Sequence, residues 1–180
     1  MFIFCIHVGD QLDIKMKEII WHQFGAAIDM LENALVACPE KLWGEHLESA
    51  EFWYRVYHIL FWLDFYSSDS IEKFLPPAPF TLAELDPAGL LPERVYTKNE
   101  LINYLDHCRK KCMNSIKALS DKKSHQHFKY GSIDLSFAEL LLYNMRHVQH
   151  HTAQLNLILR QEIDSAPRWV KQTYSNFDGN

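Results

Sequence analysis

Apolar residues recur at three- and four-residue steps along four separate stretches of the chain, the period of a helix with one buried face. The first stretch runs from about Asp13 to Ala37; Met16, Ile20, Phe24, Ala27, Leu31 and Leu35 form its stripe, and Pro39 ends it. The second, about Glu45 to Tyr66, is apolar almost all round beyond Phe52, so it should be buried over most of its surface. The third opens at Thr97-Lys-Asn-Glu100 and runs to about Leu119, and the fourth opens at Ser136-Phe-Ala-Glu139 and runs to about Glu162. Both openings place a hydroxyl three residues ahead of a glutamate, the spacing at which each side chain bonds the other's backbone N–H.

The connections are as telling as the helices. Between the second and third lies about Ser67 to Thr97, with Pro76, Pro77, Pro79, Pro87 and Pro92, which no continuous helix tolerates. A link this long reads as a functional lid, or as the overhand crossover between two helices that point the same way. A polar stretch, SDKKSHQHFKYGS, joins the third helix to the fourth. Beyond Pro167, a tail carrying Trp169, Tyr174 and Phe177 is expected to pack over the helices. The pattern predicts an all-α fold, a four-helix bundle with one long crossover between helices two and three.

Composition sets limits on this picture. At 180 residues, 48% hydrophobic and 23% charged, the chain has the dimensions of one globular domain; a disordered, collagenous or disulfide-stapled chain is excluded. A net charge of −5 lacks the footprint of a nucleic-acid binder, and Arg109, Lys110, Lys111, Lys117, Lys122 and Lys123 read as a solvated helix face. No apolar run is long enough to span a membrane. Residues 1–15 are apolar at first, but have neither a basic start nor a small-residue cleavage site. They read as an N-terminal extension, disordered or a start-site artefact, with the domain at 16–180. The four cysteines form no CxxC pair. Cys108 and Cys112, a helical turn apart and aligned with Leu101, Leu105, Ile116 and Leu119, read as core residues in a reducing, cytoplasmic setting.

The chemistry is expected in the fourth helix, in Asn144-Met-Arg-His147-Val-Gln-His150-His151-Thr-Ala-Gln154. His147 and His151 are four apart, so both imidazoles can reach a single metal ion. They fall on or beside the inward stripe of Phe137, Leu140, Leu141, Val148, Leu155, Ile158 and Leu159, with Asn144 and Gln154 above and below. His150 is rotated by about 100° from His151, toward the flank. A third ligand should come from a facing helix. His58 is the best candidate, since it lies mid-helix in the most apolar segment; His22 is the alternative, and His46 lies near a helix start. A metal-free hydrogen-bonded network of His, Asn and Gln would satisfy the same polar strip. His22, His46, His107, His125 and His127 otherwise read as surface residues. No phosphate loop, dinucleotide fingerprint or nucleophile elbow occurs, and no glutamate stands three residues before His147, His150 or His151 as a di-iron carboxylate site requires.

The run N-x-x-H-x-x-H-H-x-x-Q late in the last long helix, with a lone histidine in the second, resembles the DinB/YfiT-like superfamily over about residues 13–162. The resemblance implies up-down-down-up connectivity and one divalent metal, nickel or zinc, held by His58, His147 and His151. It also implies a homodimer and, in the characterised members, metal-dependent transferases and isomerases that use low-molecular-weight thiols. Others are described as hydrolases. The expected function is therefore a thiol-dependent transferase or a hydrolase acting on a small electrophilic molecule. The competing function is a non-catalytic helical bundle, a binding or interaction module. A metal held by three neutral imidazoles keeps its full charge and would lower the pKa of a bound water or thiol. Asn144 and Gln154 would orient a ligand; Tyr54, Tyr57 and Asp64 are the candidate proton carriers. The chain departs from the family pattern in residues 1–15, in the tail after Pro167, and in the aromatics Tyr54, Tyr57, Phe61 and Trp62 around His58.

Overall fold

The computed structural model describes residues 14–45 and 51–177. Its elements run α1 (Ile14–Ala37), α2 (Glu40–Trp43), α3 (Phe52–Tyr66), a 3₁₀ turn (Ala83–Leu85), α4 (Lys98–Lys117), α5 (Asp121–Ser124), β1 (His127–Tyr130), β2 (Ile133–Ser136) and α6 (Phe137–Ile163). Helix α1 packs on α4 and α6, and α3 packs on the same two, so the four long helices enclose one core. Both predicted capping boxes are present, Thr97 with Glu100 at α4 and Ser136 with Glu139 at α6. Eleven of the 15 residues of α3 are buried, as its all-round apolar sequence requires. Cys108 and Cys112 are buried free thiols, and burial raises both above their ordinary pKa.

Polar contacts tie the long helices together at defined heights. Arg109 on α4 donates to Asp29 and Glu32 on α1, and the Lys17 ammonium donates to the Lys117 carbonyl at 2.9 Å. Between α3 and α4, the Cys108 thiol donates to the Leu60 carbonyl at 3.4 Å, and the Ser115 hydroxyl to the Ser67 carbonyl at 3.1 Å. Across α3 and α6, the Asn144 amide donates to the Leu63 carbonyl at 3.3 Å. Four of the six basic residues read as a solvated face have acidic partners: Arg109 as above, Lys110 with Asp106, Lys111 with Asp64 and Lys123 with Asp69.

Three features differ from expectation. The polar stretch between α4 and α6 contains a hairpin, with Tyr130 paired to Ile133 and His127 to Ser136. Its turn needs Gly131 at φ +56°, a conformation that favours glycine. Phe128 and Tyr130 pack against α3, with the Tyr130 ring 4.9 Å from Phe65. Second, α3 starts at Phe52; its expected start near Glu45 borders residues 46–50, outside the described residues. The N-terminal extension also falls almost wholly outside them, and α1 already includes Ile14 and Lys15.

The third difference is the tail. Phe177 packs against the core as expected and Val170 forms a buried apolar group with Ala26 and Met30, but Trp169 and Tyr174 are exposed. The tail docks on α1 mainly through its backbone. The Thr173 N–H donates to the His22 carbonyl at 3.1 Å, the Tyr174 N–H to Asp29 at 2.8 Å, and the Trp21 indole to the Ser175 carbonyl at 3.0 Å. Gly25 permits this approach, since a Cβ there would lie 2.7 Å from the Cβ and hydroxyl of Thr173. Overpacking of that kind costs about 1–3 kcal/mol, more than the ~1 kcal/mol that alanine gains in helix propensity. Gly25→Ala is therefore expected to lower stability in urea unfolding, and Thr173→Gly on that background to restore it.

Candidate metal centre

Helices α3 and α6 bring three histidines together. His58, His147 and His151 each offer a ring nitrogen, and these nitrogens all lie within 4.8 Å of one another. The ring centroids are 5.3 Å apart for His58 and His147, 4.9 Å for His58 and His151, and 4.5 Å for His147 and His151. All three side chains are half-buried, at the border of the core stripe that Val148, Thr152 and Leu155 mark on α6. Tyr66 stands beside His147, and Trp62 beside His58.

The hydrogen bonds fix two of the rings. His58 Nδ1 lies 2.8 Å from Glu84 Oε2. An ionised carboxylate only accepts, so Nδ1 carries the proton and Nε2 keeps its lone pair. His151 Nδ1 likewise donates to Gln154 Oε1 at 2.8 Å, one turn further along α6. The third ring differs: His147 Nδ1 is buried with no hydrogen-bond partner. Leaving such an atom unpaired costs about 1–3 kcal/mol.

Electrostatics favour the neutral form of His147 and His151. Burial, reinforced by the neighbouring His151, His58 and His150, pushes His147 down to about 3 from 6.5. Burial also lowers His151, against an opposing contribution from Gln154. Burial alone would raise Glu84, but hydrogen bonds from His58, Tyr54 and Trp62 outweigh it and hold the carboxyl below its ordinary range. Neutral imidazole is the form that binds metal. The donor set thus fits a divalent cation: two rings oriented through Nδ1 and a third with an unsatisfied nitrogen.

The low His147 pKa has a consequence for the metal-free protein. Between about 3 and 6.5 the unfolded chain binds a proton there that the folded chain does not. This contribution to stability is complete above 6.5 and is lost as pH falls toward 3. Thermal melts in chelator should show a midpoint falling through that window, with a shallower fall in His147→Leu.

A sequence model of the DinB superfamily matches residues 23–155, a span that includes all three histidines. The chain belongs to the DinB superfamily. No curated protein and no solved structure matches it.

The other residues singled out in this DinB protein take varied positions. Gln154 touches the cluster through His151, and its amide nitrogen lies 3.3 Å from His150 Nε2. Asn144 is buried and spends its amide on α3, donating to the Leu63 carbonyl and, at 3.4 Å, to the Ser67 hydroxyl. His22 lies beside the tail, away from the cluster. His107, His125 and His127 are exposed, each near an aspartate, and His46 is outside the described residues. Asp64 faces α4, where Tyr104 and Lys111 hold it, so it carries no proton to the histidines. Tyr57 donates to the Thr81 carbonyl at 2.9 Å. A cavity of about 420 Å³ opens beside His147, lined by Tyr143, Arg146, Gln149 and His150. A larger one, about 790 Å³, lies within the long connection and touches none of the three histidines. Glu84 is the neighbour of the cluster that the sequence did not disclose: it lies 26 residues from His58, on a short turn without periodic pattern.

Proposed function

We propose that this DinB-superfamily protein is a metal-dependent enzyme, a thiol-dependent transferase or a hydrolase acting on a small electrophilic substrate, with His58, His147 and His151 holding one nickel or zinc ion. The observation that carries this reading is the gathering of three imidazoles with ring nitrogens all within 4.8 Å of one another, and with His147 Nδ1 buried and unpartnered. Such an ion, held by these three histidines, would supply Lewis acidity to a water or thiol. The chain's own residues supply the geometry. Gln154 holds the His151 ring, and Asn144 fixes the height of α6 against α3, which sets His147 opposite His58. Substrate would enter from the cavity beside His147, past Arg146 and His150. Burial holds the Tyr54 and Tyr57 phenols above their ordinary range, so neither serves as a base at neutral pH.

Contact heights support an up-down-down-up bundle. Pairs between α3 and α4 ascend together, Leu60 with Cys108 and Ser67 with Ser115, as parallel helices require. Those between α1 and α4 run in opposite senses, Asp29 with Arg109 and Lys17 with Lys117. Across α3 and α6 they also oppose, His58 with His151 and Leu63 with Asn144. The proline-bearing connection is then the overhand link between α3 and α4. We extend the proposal to one domain that begins with α1 rather than at residue 16, to a cytoplasmic setting from the cysteine pattern, and to a homodimer on the family resemblance. No helix among the described residues is long and apolar enough to cross a membrane.

Metal content tests the core of this reading. Elemental mass spectrometry on untagged protein should find about one nickel or zinc per chain, lost in the His147→Ala, His151→Ala double variant. A wild type that stays metal-free after incubation with both ions would leave a non-catalytic bundle with a histidine network.

A further inference from the structure

Glu84 combines burial, charge and position in a way its neighbours do not. It sits on the 3₁₀ turn of the long connection, between exposed Thr81 and Leu82 on one side and exposed Pro87 on the other, yet its side chain is only 5% exposed. Its Oε2 atom accepts from His58 Nδ1 at 2.8 Å and from the Trp62 indole at 3.1 Å, and its carboxylate also accepts from the Tyr54 phenol. Tyr54, His58 and Trp62 stand four residues apart along one stripe of α3. Three successive turns of that helix therefore aim a donor at a single carboxylate. The central donor is a member of the histidine cluster.

A buried carboxylate is costly unless its oxygens are satisfied. A carboxylate that only stapled the connection to α3 would be served by the indole and the phenol. The third contact adds something else. It holds the His58 proton on Nδ1, leaves the lone pair on Nε2, and places a negative charge behind the ring, which makes Nε2 a stronger electron-pair donor. We propose that Glu84 is a positioning residue of the metal centre, acting through His58, and that the long connection is thereby part of the site. The proposal rests on the metal reading above and adds to it the residue that sets the tautomer and donor strength of one ligand.

The test uses the full chain and two ions, Zn²⁺ and Co²⁺. Zinc affinity is measured by competition with a chromophoric chelator for wild type, Glu84→Gln and Glu84→Ala, alongside the thermal midpoint of each metal-free protein. Glutamine keeps a carbonyl for His58 Nδ1 and removes the charge. Zinc affinity should fall about 10-fold in Glu84→Gln and up to about 100-fold in Glu84→Ala. The visible bands of the Co²⁺ form should shift in Glu84→Gln, a change that a remote staple would not produce. Unchanged zinc affinity and an unchanged Co²⁺ spectrum in Glu84→Gln would overturn the proposal, whatever happens to the thermal midpoint. If Glu84→Ala does not fold, the glutamine variant alone decides. Wild type that binds neither ion would overturn the metal reading itself, an outcome separate from metal-binding variants that match wild type.

Discussion

Lys111→Met is expected to remove about 3–5 kcal/mol of folding stability, an effect as large as deleting a core side chain. The reason lies with its partner. Asp64 is fully buried on α3 and accepts from the Tyr104 hydroxyl at 3.0 Å and from the Lys111 ammonium. His107 Nε2 is 3.5 Å away, on a half-exposed ring. Lys111 also donates to the Ser68 hydroxyl at 2.7 Å, and its ammonium lies 5.3 Å from the centre of the Phe74 ring. Methionine keeps the stem and its packing but strips the carboxylate of its main countercharge. A buried charge without compensation is what makes breaking such a pair costly. Urea unfolding of wild type and variant reads the effect directly. Adding Asp64→Asn to Lys111→Met should recover part of the loss, because the charge is then gone from both sides. A loss below about 1 kcal/mol would mean that the pair behaves like an exposed surface contact.

Most of the residues legible in the sequence share one property: their partners lie at helical spacing. The stripes on α1 and α6, the two capping boxes and the His147–His151 pair are all local, so three- and four-residue steps disclose them. His58 was legible for a different reason, as a lone polar ring in an otherwise apolar helix. What escaped was long-range or short. Strands β1 and β2 have four residues each, too few for alternation to stand out among polar neighbours, although Gly131-Ser132 marks the turn between them. Glu84 reaches His58 through tertiary contact alone. The tail docks by backbone N–H and carbonyl groups, which side-chain pattern does not encode. Asp64 is instructive in another way. Six residues beyond His58, it lies about 240° further round the helix, so helix geometry already directs it away from the cluster, whereas Tyr54 and Trp62 share its face. By residue type Asp64 is a candidate proton carrier; its angle on the helix turns it toward α4 instead.

His147→Leu should change stability in opposite directions with and without metal. In wild type, zinc or nickel that binds only the folded state adds about 4 kcal/mol at 1,000 times its dissociation constant. With His147 gone, two of the three ligands remain, and most of that increment should disappear. Without metal the balance reverses. The buried Nδ1 atom of His147 has no partner, and burial, reinforced by the neighbouring histidines, lowers the ring's pKa to about 3. Replacing it with an apolar side chain removes an unsatisfied polar group and should raise stability by about 1–3 kcal/mol. A site kept for metal rather than for packing is expected to show this exchange of stability for function. Urea unfolding of both proteins, in chelator and in excess zinc, gives the four values needed. A hydrogen-bonded histidine network makes the other prediction: there His147 would support its neighbours, the leucine variant would be less stable in chelator, and zinc would shift neither protein. The sign of the change in chelator therefore separates the two readings before any substrate is known.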